Sequence, residues 1–168
     1  FSPYAALLAQ ARWRRNLLIG ALIASTGVIG LWAIGEYAVD LQKVVFKQHF
    51  DKVVPADQVK GEVDWAITVA YLWNMLGAAV GMTIFTRIAQ IGRKLAFIVG
   101  FTAAMVTTFL VYRNMSSPIA ARWMMFLMGA AQLSVFAGFA IYLPELFPSR
   151  LRSTGTSFCY NLGRFAAA

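Results

Sequence analysis

Asn74 and Gln132 are the residues of this chain whose chemistry fits least with their surroundings, because each is a carboxamide set inside a long uncharged apolar stretch. Polar groups within a hydrocarbon layer raise the free energy and are functional candidates by default. Their competing role is to hydrogen-bond neighbouring helices, worth about 0.6 kcal/mol each. Tyr71 lies three residues before Asn74 and shares its helical face. A second constellation is sharper in spacing. Ser25, Trp32, Glu36 and Asp40 fall within roughly 80° of one another on a helix turning 100° per residue. An aromatic ring and two carboxylates on one stripe suit the mouth of a polar cavity. A carboxylate desolvated there has a raised pKa and exchanges protons at useful pH, which makes Glu36 and Asp40 candidates for proton coupling. The alternative is an interfacial carboxylate that reaches water and has no function, since Glu36 stands about 20 residues from the start of its run, a full membrane crossing.

The elements that must position these groups follow from composition. The chain is 60% apolar and only 13% charged, and most charges lie between four uncharged runs, residues 16–35, 66–86, 95–112 and 123–144. Each run approaches or exceeds the roughly 20 residues of helix that cross a hydrocarbon core. Backbone groups in lipid must be satisfied internally, so the runs are expected as helices. The alternating segments of about ten residues that mark membrane barrel strands are missing from the sequence. The expected class is an all-α polytopic transmembrane helix bundle, with a linker over 1–15 and a bundle over 16–168. The spans are placed at about 16–40, 65–86, 95–112 and 122–147, with the start of a further span at 154–168.

A net charge of +8 would suit nucleic acid, but its distribution argues against that partner. If the odd-numbered loops share one side, that side holds nine Lys and Arg residues against Glu145 alone, whereas the other side balances six bases with six acids. Lys and Arg near span ends set orientation, so residues 1–15, 87–94 and 148–153 are expected in the cytoplasm. The expected location is a cell membrane, plasma or bacterial inner, crossed several times. Cys159 and His49 are single, which leaves no disulfide framework or metal site to build from this chain. With no phosphate loop or Ser/His/Asp arrangement either, no catalytic residue, metal or cofactor is expected. The first run has the length of a full span and lacks a cleavage site, so it does not read as a signal peptide.

Along the chain, Trp13 suits the headgroup layer. The first span is expected to continue as an amphipathic extension through Leu41, Val44 and Val45 until Pro55 stops it, with residues 51–64 as a long polar loop. Gly77-x-x-x-Gly81 is a small-residue contact face. The third run looks lipid-facing. Pro144 and Pro148 are expected to close the fourth span, and Ser153, Thr154 and Thr156 are suitable caps for the next helix.

The stretch ELFPSRLR, from Glu145 to Arg152, followed by Gly155, resembles the turn between the tenth and eleventh helices of major facilitator transporters. It is closest to the sugar-porter and metabolite–proton symporter branches, where E-x-F-P-x-R-x-R recurs. The family's other cytoplasmic signature, G-x-x-x-D-R-x-G-R-R/K, should fall at residues 85–94. There Gly92, Arg93 and Lys94 match, whereas Phe85, Ala89 and Gln90 replace its first Gly, its Asp and its first Arg. The resemblance implies a partial carboxy-terminal half of a twelve-helix facilitator fold, helices seven to ten and the beginning of eleven. In that fold the substrate lies near the midplane between two halves. Asn74, Gln132, Tyr71 and Trp32 then become the substrate-binding candidates, and Glu145, Arg93, Arg150 and Arg152 a cytoplasmic gate. The implied activity is secondary transport of a small polar solute such as a sugar, sugar acid or organic acid, coupled to protons. The implied partners are that solute, the lipid bilayer and the amino-terminal half of the same chain, and no nucleic acid. A non-transporting receptor or scaffold on the same fold stays open as the alternative, because the signature Asp is replaced.

Overall fold

The computed structural model describes residues 3–167. Phe1, Ser2 and Ala168, at the limits of the expected linker and last span, lie outside the described residues. Among the described residues the chain is helical without strands: α1 (Pro3–Ala9), α2 (Ala11–Phe50), α3 (Val59–Ile91), α4 (Arg93–Asn114), α5 (Pro118–Glu145) and α6 (Arg152–Ala167). Helices α2, α3, α4 and α5 are long and apolar enough to cross a membrane. The all-α expectation therefore holds, for the reason given: a helix satisfies its own backbone where no water can. The 40 residues of α2 span about 60 Å at ~1.5 Å per residue, twice a ~30 Å hydrocarbon core. Its last turns must stand beyond such a layer.

Several boundaries differ from expectation. Helix α2 stops at Phe50 rather than running to Pro55, because the chain tightens there. The N–H groups of Val53 and Val54 both bond the Phe50 carbonyl at 3.0 Å, and the residue before a proline is disfavoured in helix. The long polar loop shrinks to residues 51–58, with α3 starting at Val59. Val59 and Val63, one turn apart, are 7% and 8% exposed, so burying them extends the helix backwards through polar sequence. Residues 87–94 form no loop: α3 runs to Ile91, Gly92 alone is extended, and α4 begins at Arg93. Nothing before Gly92 breaks a helix. Pro144 lies inside the last turn of α5, where a missing N–H removes a single intrahelical bond. Pro118 opens that helix, a position suited to a residue without N–H, and the Ser117 hydroxyl accepts from the Ala120 N–H at 3.2 Å. Ser153, Thr154 and Thr156 are not caps, since α6 begins at Arg152 and takes them into its first turns.

The chain packs as two compact units, one joining the chain up to Ala33 with the chain from Phe136 onward, the other comprising Ile34–Val135. In the second unit, Ala38, Gln42 and Phe46 form an i, i+4, i+8 stripe on α2 that is at most 1% exposed. Ala38 and Phe46 join Val59, Val63 and Ala70 of α3, Val111 of α4 and Met125 and Met128 of α5 in one core. Burying Phe46 against water is worth about 1.5–3 kcal/mol, which accounts for the extension of α2 into this cluster. Gly77 lies against the backbone of Phe126, and Gly81 against that of Ala130. A Cβ at either glycine would strike the opposing carbonyl, so the expected small-residue face is the contact between α3 and α5. Helix α4 buries only Ala96, Gly100 and Val111 and exposes Ile98, Met105, Val106, Phe109 and Leu110, the surface a lipid-facing helix presents.

In the first unit α6 buries Gly155, Cys159 and Gly163, spaced four apart. Gly155 seats the ring of Phe147, the Cys159 sulfur meets Gly20, and Gly163 meets the backbone of Ala24 and Ser25. Small residues on both helices bring α2 and α6 together, as packing between membrane helices requires. Cys159 is fully buried, and its thiol donates weakly to the Leu17 carbonyl at 3.6 Å.

Candidate functional site

The two carboxamides both lie in the Ile34–Val135 unit and each bridges a pair of helices. Asn74, half-buried on α3, donates Nδ2–H to the Met125 carbonyl of α5 at 3.0 Å. Gln132, half-buried on α5, donates Nε2–H to the Thr108 hydroxyl of α4 at 2.9 Å, and that hydroxyl donates onward to the Ala104 carbonyl at 2.7 Å. The two amides share no partner. Each keeps a carbonyl oxygen and one N–H that these bonds do not use, so each can take a ligand while holding its helix contact. Tyr71 is 56% exposed on α3, one turn before Asn74. Trp73 stacks obliquely on Trp123, with ring centroids 4.7 Å apart.

The stripe on α2 divides between the two units. Ser25 and Trp32 belong to the first, with Trp32 half-exposed, while Glu36 and Asp40 belong to the second and are exposed. Asp40 pairs with Lys43 at 3.0 Å, an exposed i, i+3 ion pair of the kind that contributes little.

The turn from α5 to α6 is braced by carbonyl capture. Carbonyls at a helix end lack intrahelical partners. Here Arg152 donates Nε–H to the Pro144 carbonyl at 3.0 Å, and Asn16 donates to the Leu146 carbonyl at 2.7 Å. Phe147 and Leu151, 3% and 4% exposed, pin the turn between those two bonds. The Pro144 carbonyl is thus the acceptor that the turn brings to Arg152. Glu145 and Arg150 are exposed. In the other unit Arg93 donates Nη1–H to the Ala89 carbonyl at 2.7 Å.

The sequence pattern passes over Gln42. This side chain is 1% exposed, with Nε2 bonded to the Ala38 carbonyl at 3.2 Å and to the Met125 sulfur at 3.5 Å. Its Oε1 is buried without a partner. The i, i+4 spacing of Ala38, Gln42 and Phe46 is the signal that could have marked it. Tyr112 is similarly unmarked, and donates to the Ile34 carbonyl at 2.8 Å. Among the described residues no group of three or more His, Cys, Asp or Glu side chains could hold a metal ion. No family model, curated protein or solved structure matches this chain.

Proposed function

We propose that the chain is the partial carboxy-terminal half of a major facilitator secondary transporter. It moves a small polar solute, such as a sugar, sugar acid or organic acid, by alternating access and coupled to protons. The observation that carries this reading is the E-x-F-P-x-R-x-R string at residues 145–152, standing between two helices of a chain with four helices of membrane-crossing length. Two carboxamides on apolar helices, each with unused hydrogen-bonding capacity, support a solute site near the midplane. The amino-terminal half of the same protein supplies the other wall of that site. Glu145 and the arginines at residues 93, 150 and 152 act at the inner gate, and Arg152 also anchors the turn through the Pro144 carbonyl.

Uptake of radiolabelled sugars and sugar acids by the full-length protein in vesicles with an imposed pH gradient tests this reading. Accumulation that collapses with a protonophore, and a KM raised at least tenfold by Asn74→Ala or Gln132→Ala, is the expected result. The second reading, a non-transporting receptor or scaffold, is favoured by Ala89 and Gln90 in the loop signature and by amides already bonded between helices. Folded protein that binds a solute without moving it would establish that alternative.

A further inference from the structure

The cleft between the end of α5 and the first three turns of α6 gathers an arginine, an amide and several hydroxyl side chains. It is an open groove of about 540 Å³, lined by Ser149, Arg152, Ser153, Ser157, Tyr160 and Asn161. It lies wholly within one compact unit. The α6 residues recur at three- and four-residue spacing, which sets them along one side of the helix, while Gly155, Cys159 and Gly163 are buried on its packed side. No carboxylate lines the cleft.

The lining is rich in unused donors. Arg152 uses Nε for the Pro144 carbonyl, leaving the other four of its five N–H groups. That bond also fixes where the guanidinium stands. Ser157 accepts from Asn161 at 3.1 Å and retains its own O–H, and Ser149, Ser153 and Tyr160 supply further hydroxyls. A cation finds no countercharge here. A carboxylate, with two oxygens, leaves donors unmatched, whereas a phosphate presents three or four oxygens and fits the planar guanidinium fork. The volume falls in the range of ligand sites, about 300–1,000 Å³, leaving room for the group that a phosphate monoester or diester carries. We propose that this cleft binds a phosphate group, with Arg152 as the bidentate anchor and the serine and tyrosine hydroxyls on the remaining oxygens. The site is independent of the transport reading. Its phosphate comes either from a phospholipid headgroup or from a soluble phosphate compound.

The test uses full-length protein and follows the thermal unfolding midpoint, which a ligand raises by binding the folded state. One arm titrates inorganic phosphate in nonionic detergent against chloride at matched ionic strength. The other compares protein in nonionic detergent with and without added phosphatidylglycerol. A rise in the first arm assigns the site to soluble phosphate, and a rise in the second alone assigns it to a lipid headgroup. In either case Arg152→Gln should weaken half-saturation tenfold or more, as loss of charge-assisted bonds implies, while Arg150→Gln, outside the cleft, leaves it unchanged. Should Arg152→Gln fail to fold, the Ser153→Ala/Ser157→Ala double variant carries the same comparison, with a severalfold loss expected. No rise in either arm, or equal weakening by Arg150→Gln, overturns the proposal and reduces the effect to general attraction of anions.

Discussion

The side-chain amide of Asn74 lies 3.0 Å from the main-chain carbonyl of Met125, so an amide that reads as a solute ligand already ties α3 to α5. The two roles differ in what its removal does. Interhelical hydrogen bonds of this kind contribute about 0.6 kcal/mol, reaching about 1.7 at most. Asn74→Ala in the full-length protein should therefore lower unfolding stability by no more than ~1–2 kcal/mol. If Asn74 also holds solute, KM rises at least tenfold. Equal, small changes in stability and KM would leave it a helix tie only.

Gly77 and Gly81 face carbonyls of α5 with no room for a methyl group. Overpacking of this sort costs about 1–3 kcal/mol, and here the opposing atoms are backbone, which cannot swing aside. Gly77→Ala and Gly81→Ala should each reduce the yield of monodisperse protein in detergent and lower its unfolding midpoint. Gly61→Ala serves as the control, since nothing lies within 4 Å of its Cβ position. That exposed helical change should be neutral or stabilising by roughly 0.5–1 kcal/mol.

Gln42 places an unpartnered Oε1 inside an apolar core. A buried acceptor left unsatisfied costs about 1–3 kcal/mol. Gln42→Met keeps the length of the side chain and removes that oxygen, so unfolding stability should rise by roughly 1 kcal/mol. Gln42→Glu should instead destabilise strongly, because a charge in that place has no partner. A loss of stability in Gln42→Met would mean that the oxygen has a partner of its own, such as an ordered water.

Cys159 is fully buried, so the native protein should resist maleimides until it is unfolded. Against that silent background, a cysteine at Lys60 should react with an impermeant reagent applied outside intact cells. One at Gly92 should react only after permeabilisation. The opposite pattern would invert the orientation drawn from loop charge.

What the sequence determined by itself is the class of structure. Runs such as 95–112 and 123–144 are long, uncharged and apolar, and the need to satisfy backbone bonds out of water turns each into a helix without reference to its neighbours. The Gly77-x-x-x-Gly81 face is legible for a related reason, since close approach requires small residues at that spacing. Partner choice is a different matter. Nothing local to Asn74 shows that its amide meets Met125, or local to Arg152 that it takes the Pro144 carbonyl. Helix ends moved likewise: Val59 and Val63 are helical because they bury against a core assembled from four helices, although the residues around them look like a polar loop. Gln42 is polar in composition and core in position, because it shares a stripe with Ala38 and Phe46 that tertiary packing covered. A hydrogen bond or a buried contact depends on which residues the fold brings within about 3–4 Å, and that distance is a property of the assembled helices.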